Sequence, residues 1–299
     1  ESRLDGGGQA DTAAPGDLAA RTLARVQAAR QQARFNQQIA ALRFGGEPRG
    51  FGFQWRELST VAAVVLIGLS LLWPLLDQSR AQARRIACAG NLATAGMGLS
   101  AYAADAAGVL PRRLAHPGDD WWAVGSQPNA DGSVRSNTAH LYLLIRTGYA
   151  RPSALACPDN PDALRHARPD AHDFPRPAAV SFSYQNQFTP QVARLERLGG
   201  TAHSAGMPIL ADRNPLFVIH VSGLRVDRTK PIDAASPHHR RVGPGQNVLT
   251  ATGSVRFITT PVVARPTAPA DNIWLLGART EYEGTESPHS PQDDAFLVP

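Results

Sequence analysis

The chain has 299 residues and a formal net charge of +5, from 30 Lys plus Arg against 25 Asp plus Glu. Lys230 is the only lysine, and the arginines are spread among acidic residues, so no stripe suited to a nucleic-acid backbone is present. Gly (26) and Pro (24) are frequent, as in a loop-rich domain outside the cytoplasm, and the chain opens on Glu1 rather than Met, as a processed product or a fragment does.

In chain order, residues 1–16 are Gly, Ala and polar residues without an apolar period, and a disordered tail is expected there. From Asp17 the pattern changes. Asp17 can cap a helix, and Leu18, Thr22, Val26, Ala29, Phe35, Ile39 and Leu42 recur at three- and four-residue spacing among Arg21, Arg25, Arg30, Arg34 and Arg43. Two readings stand side by side: a solvated amphipathic helix, or a helix that rests on anionic lipid or a cytoplasmic partner. Gly45, Gly46, Pro48 and Gly50 then break the pattern into a short linker, so that 17–57 is a cytoplasmic amphipathic helix and its linker.

Leu58 to Leu76 is a run of 19 uncharged residues between Glu57 and Asp77. As a helix it spans about 28 Å, close to the hydrocarbon thickness of a bilayer. Trp55 and Trp73 lie near its two ends, where indoles favour the headgroup region, and Pro74 falls in its last turn. A transmembrane helix is expected over 58–76. Its near flanks tie in arginines, but the tail as a whole carries more basic than acidic residues, which places the N-terminus in the cytoplasm.

Past Pro74 the chain continues as an alanine-rich helix with Ile86, Leu92, Leu99 and Tyr102 spaced for one apolar face, ending near Ala107–Gly108. An apolar half followed by an amphipathic half is how the long N-terminal helix of a pilin is built. The segment Arg84–Pro111, with RRIACAGNL and then YAADAAGVLP, resembles the pseudopilin-like membrane proteins of planctomycete-type bacteria. Further matches follow in order: Ala156-Cys157-Pro158-Asp159, Ser183-Tyr184-Gln185-Asn186, and Leu210-Ala211-Asp212-Arg213-Asn214-Pro215. His238-His239 leading through Gly245-Gln246-Asn247-Val248-Leu249 to Gly253 is similar to the closing H-X9-DG motif of that family, and Asp271 to Trp274 and Asp294 to Leu297 fit its ending. The resemblance covers about residues 53–299 and implies an α+β fold: a long N-terminal helix packed on an antiparallel β-sheet with long loops.

Two positions depart from the family pattern. Thr252-Gly253 stands where the motif has Asp-Gly, so any role of that carboxylate is lost. Gly52-Phe53-Gln54-Trp55-Arg56-Glu57 has the spacing of a prepilin cleavage site, with Glu57 17 residues before Pro74, yet Arg56 and a leader of more than 50 residues are atypical. The expectation is a retained cytoplasmic tail; cleavage after Gly52 is the alternative, with Glu57 pairing the new amine of Phe53 in a neighbouring subunit. A long tail joined to such an exterior domain also resembles anti-sigma-like membrane regulators, although no Cys or His precedes the apolar helix to form their zinc finger.

In the exterior domain, 77–299, strands are expected at Val180–Phe188, Pro208–Ala211, Phe217–Val221, Asn247–Thr250 and Ser254–Ile258, the last two as a hairpin across Ala251-Thr252-Gly253. A short buried helix is expected over His140–Ile145, Trp121-Trp122 as core, and 158–178 as an irregular excursion. Cys88 and Cys157 can form a disulfide if that side is oxidising, or remain two separate buried thiols.

Chemistry has few footholds. His166, Asp170, His172 and Asp173 form a cluster read as a solvated loop, and Ser204 beside His203 lacks a nucleophile-elbow frame. Asp212, His220, His238 and His239 are read as a turn-capping aspartate and loop histidines; the alternative is a divalent-metal site, and with it an envelope metal-dependent enzyme. The expected function is therefore non-enzymatic, without cofactor or bound metal. The protein is expected to be a single-pass inner-membrane pseudopilin-like protein that acts by binding or assembly. Its expected partners are the lipid bilayer, pilin-like or envelope proteins and a cytoplasmic regulator; nucleic acid is not among them. The competing expectation is a processed subunit of a type II secretion-like filament.

Overall fold

A computed structural model describes residues 15–44, 55–168, 170–199, 206–220, 223–265, 268–292 and 294–299. The chain divides into two compact units, Glu1–Leu69 and Ser70–Pro299. Residues 1–14 of the expected tail, the linker 45–54 with Gly52 and Phe53, and the His203–Ser204 pair lie outside the described residues.

The first unit holds helix α1 (Pro15–Phe44), which begins two residues before the expected cap at Asp17. Its described side chains, 20–38, are all exposed, Leu23, Val26 and Phe35 among them. Helix α2 (Trp55–Asp105) follows, 51 residues long with Pro74 inside it. Over Ala62–Asp105 it is long and apolar enough to cross a membrane by length and composition. Val64, Val65, Leu66, Ile67, Leu69, Leu71, Leu72, Trp73, Leu75 and Leu76 are all more than half exposed to solvent in the isolated chain. Exposed apolar side chains on every side of this stretch mean that no one-sided core contact covers it within the chain.

From Ala81 onward one side of α2 is buried through Cys88, Leu92, Ala95, Leu99 and Ala103. This stripe corrects the expected face: Ile86 points away and is 61% exposed, while Cys88 takes the inward position two residues later. The helix stops at Asp105, two residues before the expected end, and the chain turns through positive φ at Ala107 and Gly108.

The second unit is α+β. Its main sheet is built from β1 (Phe182–Gln185), β2 (Pro208–Asp212), β5 (Gln246–Thr250), β6 (Val255–Ile258) and β9 (Leu297–Val298), in the order β6-β5-β2-β1-β9. Every neighbouring pair in it is antiparallel. Strands β3 (Phe217–His220) and β4 (Gly223–Val226) form one separate ribbon, β7 (Val262–Arg265) and β8 (Ala268–Asn272) another. Strands β1, β2 and β5 are buried along their whole length, so both faces of this part of the sheet are covered, although β1 keeps the alternating Phe-Ser-Tyr-Gln pattern. Helix α3 (Thr138–Arg146) extends the expected helix by two residues at its start and one at its end, and a short helix α4 (Leu195–Gly199) precedes β2.

The excursion 158–178 is irregular apart from the start of a short turn of 3₁₀ helix, Pro177–Ala179, but it is not all solvated. Asp173 leaves the loop cluster and is buried, its carboxylate accepting from Ser136 Oγ at 2.5 Å and Thr138 Oγ1 at 2.6 Å at the start of α3. Asp170 stays exposed, paired with Arg168.

Helix α2 comes close to the chain after α3 because Gly98 lacks a side chain. A Cβ there would stand 2.6 Å from the backbone oxygen of Tyr149, and a carbonyl cannot swing aside as a side chain can. Alanine gains about 1 kcal/mol over glycine in a helix interior, but overpacking against fixed backbone costs about 1–3 kcal/mol. Gly98→Ala should therefore destabilise the domain. Gly90→Ala should stabilise it, since a Cβ at Gly90 meets nothing within 4 Å. Denaturant midpoints of the two variants test this, and equal midpoints would show that α2 is not held at Gly98.

Candidate functional site

The sheet, helix α2 and two loops bring five reactive side chains into one buried place. Cys88 enters from the inward face of α2, and Asp212 from the end of β2. Cys157 follows the short 3₁₀ helix Pro152–Leu155, and His238 and His239 come from the loop before β5. Cys88, Asp212, Cys157 and His239 are each at most 1% exposed, and His238 is 6% exposed.

Cys88 Sγ donates to Asp212 Oδ1 at 3.1 Å. Cys157 Sγ and His239 Nε2 are 3.5 Å apart, His239 Nε2 lies 3.7 Å from Asp212 Oδ2, and His238 Nδ1 lies 3.7 Å from Asp212 Oδ1. One ligand atom from each of Cys88, Cys157, Asp212 and His239 can be chosen so that all four lie within 4.8 Å of one another.

The positions are enforced from outside the cluster. Asn247, on β5, donates to Asp212 Oδ2 with its backbone N–H at 2.6 Å and its side-chain amide at 3.1 Å. The Asp159 carboxylate lies 2.8 Å from His239 Nδ1, accepts the His239 backbone N–H at 3.0 Å, and holds Arg84 Nε at 2.6 Å with its other oxygen. His239 itself has φ 62, in the left-handed region that costs a side-chain-bearing residue about 1–2 kcal/mol. Those contacts from Asp159 hold that conformation, and it turns Nε2 toward Cys157 and Asp212.

Without a ligand the cluster is an ion network. The Cys157 thiol is pushed down by its neighbours Cys88, His238 and His239, against burial. Burial pushes the Cys88 thiol far up, as do Cys157 and Asp212 beside it. Burial alone would raise Asp212 and lower the histidines, but the attraction between the carboxylate and the two imidazoles 3.7 Å away wins. Asp212 is held well below the usual carboxylate range, His238 is raised to about 9 and His239 to about 10. The donors in reach of a cation are two sulfurs, an imidazole nitrogen and a carboxylate oxygen, a set suited to tetrahedral zinc. The side chains are almost wholly shielded from solvent.

Asp212, His238 and His239 thus converge, and the turn-cap reading of Asp212 gives way to a fully buried carboxylate. His220 ends β3, and its side chain lies outside the described residues. Both cysteines are free thiols, adjacent and not separate as the non-disulfide reading had them. Glu57 lies in the first turn of α2, with its side chain outside the described residues. Sequence reasoning passed over Asp159, Arg84 and Asn247 as site residues. The available signal was the Cys-Pro-Asp step, which places Asp159 two residues from Cys157. Compared with known proteins, the chain matches no family model, no curated protein and no solved structure.

Proposed function

We propose that this is a single-pass membrane protein with a pseudopilin-like domain outside the cytoplasm, acting by binding or assembly at the cell envelope. The observation that carries the reading is α2 itself: one unbroken helix whose first part exposes apolar side chains all round and whose second part lines the core of an α+β domain. A helix that changes from lipid-compatible to one-sided in mid-course fits a membrane stalk continuing into a folded head. In this reading α1 stays in the cytoplasm, where its exposed apolar and arginine side chains face a regulatory partner or anionic lipid. The closure of the Asp212 cluster supports a non-catalytic role for it, against a metalloenzyme built on Asp212, His238 and His239.

The test is membrane fractionation of cells making the full chain, followed by alkaline carbonate extraction and protease shaving of spheroplasts. The chain should remain in the pellet, with its C-terminal domain digested from outside and its tail protected. Release into the carbonate supernatant would end the membrane reading. The intact mass of the extracted protein separates the two versions: a retained tail marks the anchored regulator-like form. A chain starting at Phe53 with a methylated amine marks the filament subunit instead.

A further inference from the structure

We propose that Cys88, Cys157, Asp212 and His239 form a structural zinc site that fastens helix α2 to the sheet. It goes beyond the membrane reading and does not rest on it. Ligands bound at about 2.0–2.3 Å around tetrahedral zinc stand roughly 3.3–3.8 Å from one another. Cys157 Sγ and His239 Nε2 already stand 3.5 Å apart, and Asp212 reaches Cys88 at 3.1 Å through Oδ1 and His239 at 3.7 Å through Oδ2. With one ligand atom from each residue within 4.8 Å of the others, a modest contraction brings the four to tetrahedral spacing.

The second argument is the surroundings of His239. A metal-binding imidazole commonly presents one nitrogen to the ion while a carboxylate holds the other, which fixes ring orientation and raises basicity. Asp159 is the carboxylate placed to do so: it accepts the His239 backbone N–H and lies 2.8 Å from Nδ1, which has no hydrogen-bond partner in the metal-free structure and needs only a turn of the ring to gain one. Arg84 pairs with Asp159 in turn, and Nε2 is the nitrogen turned to the cluster. The four ligands are each at most 1% exposed, so no position is left open for water or substrate. A closed set of this kind is a folding element, not a catalytic one. Binding displaces the ligands' remaining protons to solvent: both cysteines bind as thiolates, Asp212 as a carboxylate and His239 through a neutral Nε2. The ion ties together α2, the loop after α3, β2 and the loop before β5, elements separated by up to 151 residues in sequence (239 − 88).

The test uses the full chain purified in detergent with its thiols reduced. Elemental analysis should find about one zinc per chain. Cobalt in its place should give intense tetrahedral d–d bands and a thiolate-to-cobalt charge-transfer band. Cys157→Ser should lose the charge-transfer intensity of one thiolate. Because ligand variants can fail to fold, Asp159→Asn is the second readout: it keeps all four ligands, so the cobalt spectrum should persist. Zinc affinity in chelator competition should then fall on the order of 10–100-fold. A folded, fully reduced protein that takes up no cobalt overturns the proposal, as does a cobalt spectrum without a thiolate band. Cys88 and Cys157 joined as a disulfide in protein isolated from cells overturns it too.

Discussion

Asp212→Ala is expected to lower the stability of the metal-free protein by roughly 3–5 kcal/mol, the cost of removing one partner from a buried ion network. The carboxylate is fully buried and is the charge facing both His238 and His239. Its removal leaves imidazolium groups without that counter-charge. It also strips the acceptor from the Asn247 backbone N–H, bonded at 2.6 Å, and an orphaned buried N–H alone costs about 1–3 kcal/mol. Asp212→Asn separates the two effects, because the amide oxygen can still accept from Asn247 while the charge is gone. It should fall between wild type and alanine. Denaturant unfolding of chelated protein in detergent measures all three. A loss under 1 kcal/mol for the alanine variant would mean that the cluster does not hold β2 and β5 together.

Trp121→Ala should cost about 3–5 kcal/mol, the range for emptying a buried aromatic site. Trp121 is wholly buried and meets Phe217 edge-on at 5.4 Å and Phe296 edge-on at 5.7 Å, with Trp122 at 5.6 Å. Phe296 is in turn stacked on Tyr282 at 5.3 Å, so the cavity opens where the C-terminal segment joins the core. The backbone is committed as well: Trp121 N donates to Gly284 O, and Trp121 O accepts from Asn137 N. Rings held on three sides cannot collapse far into the gap, which argues for the upper part of the range. Trp121→Phe should lose less than half as much, because it keeps most of the aromatic contact and removes a buried indole N–H that has no partner. Equilibrium unfolding followed by near-ultraviolet circular dichroism reads both. Equal losses for the two variants would place the stabilisation in the indole nitrogen and not in packing.

Much of the architecture was legible because it rests on local patterning. The uncharged run from Leu58 to Leu76 marks the apolar part of α2, since nothing else in the chain needs such a stretch without charge. Strands β1, β2, β3, β5 and β6 all fall on expected strands, and the Thr252-Gly253 turn closes the expected hairpin, with Thr250 O accepting from Gly253 N at 2.9 Å. Strands β4, β7, β8 and β9 were not legible. β8 reads Ala-Pro-Ala-Asp-Asn, and β9 is two residues at the chain end, recruited by pairing with β1 and not by propensity of its own. The inward face of α2 was misread at Ile86, because in an alanine-rich helix many faces look equally apolar. The facing sheet chose the one with Cys88 and Leu92.

The candidate site divides in the same way. Residue types and local order announce the chemistry on offer: two cysteines, an adjacent histidine pair, and an aspartate just after an expected strand. A helix long and apolar enough to cross a membrane is announced in the same way, because that property depends only on composition and length along one segment. The meeting of Cys88, Cys157, Asp212 and His239 is not written in any one segment, because their proximity depends on how α2 crosses the sheet and on where two loops return. The tertiary structure also decided that Asp159 holds His239, which requires a left-handed residue at a position no pattern announces. Segment properties are written in neighbouring residues; convergence is set by pairing register and helix packing, which join residues far apart in the chain.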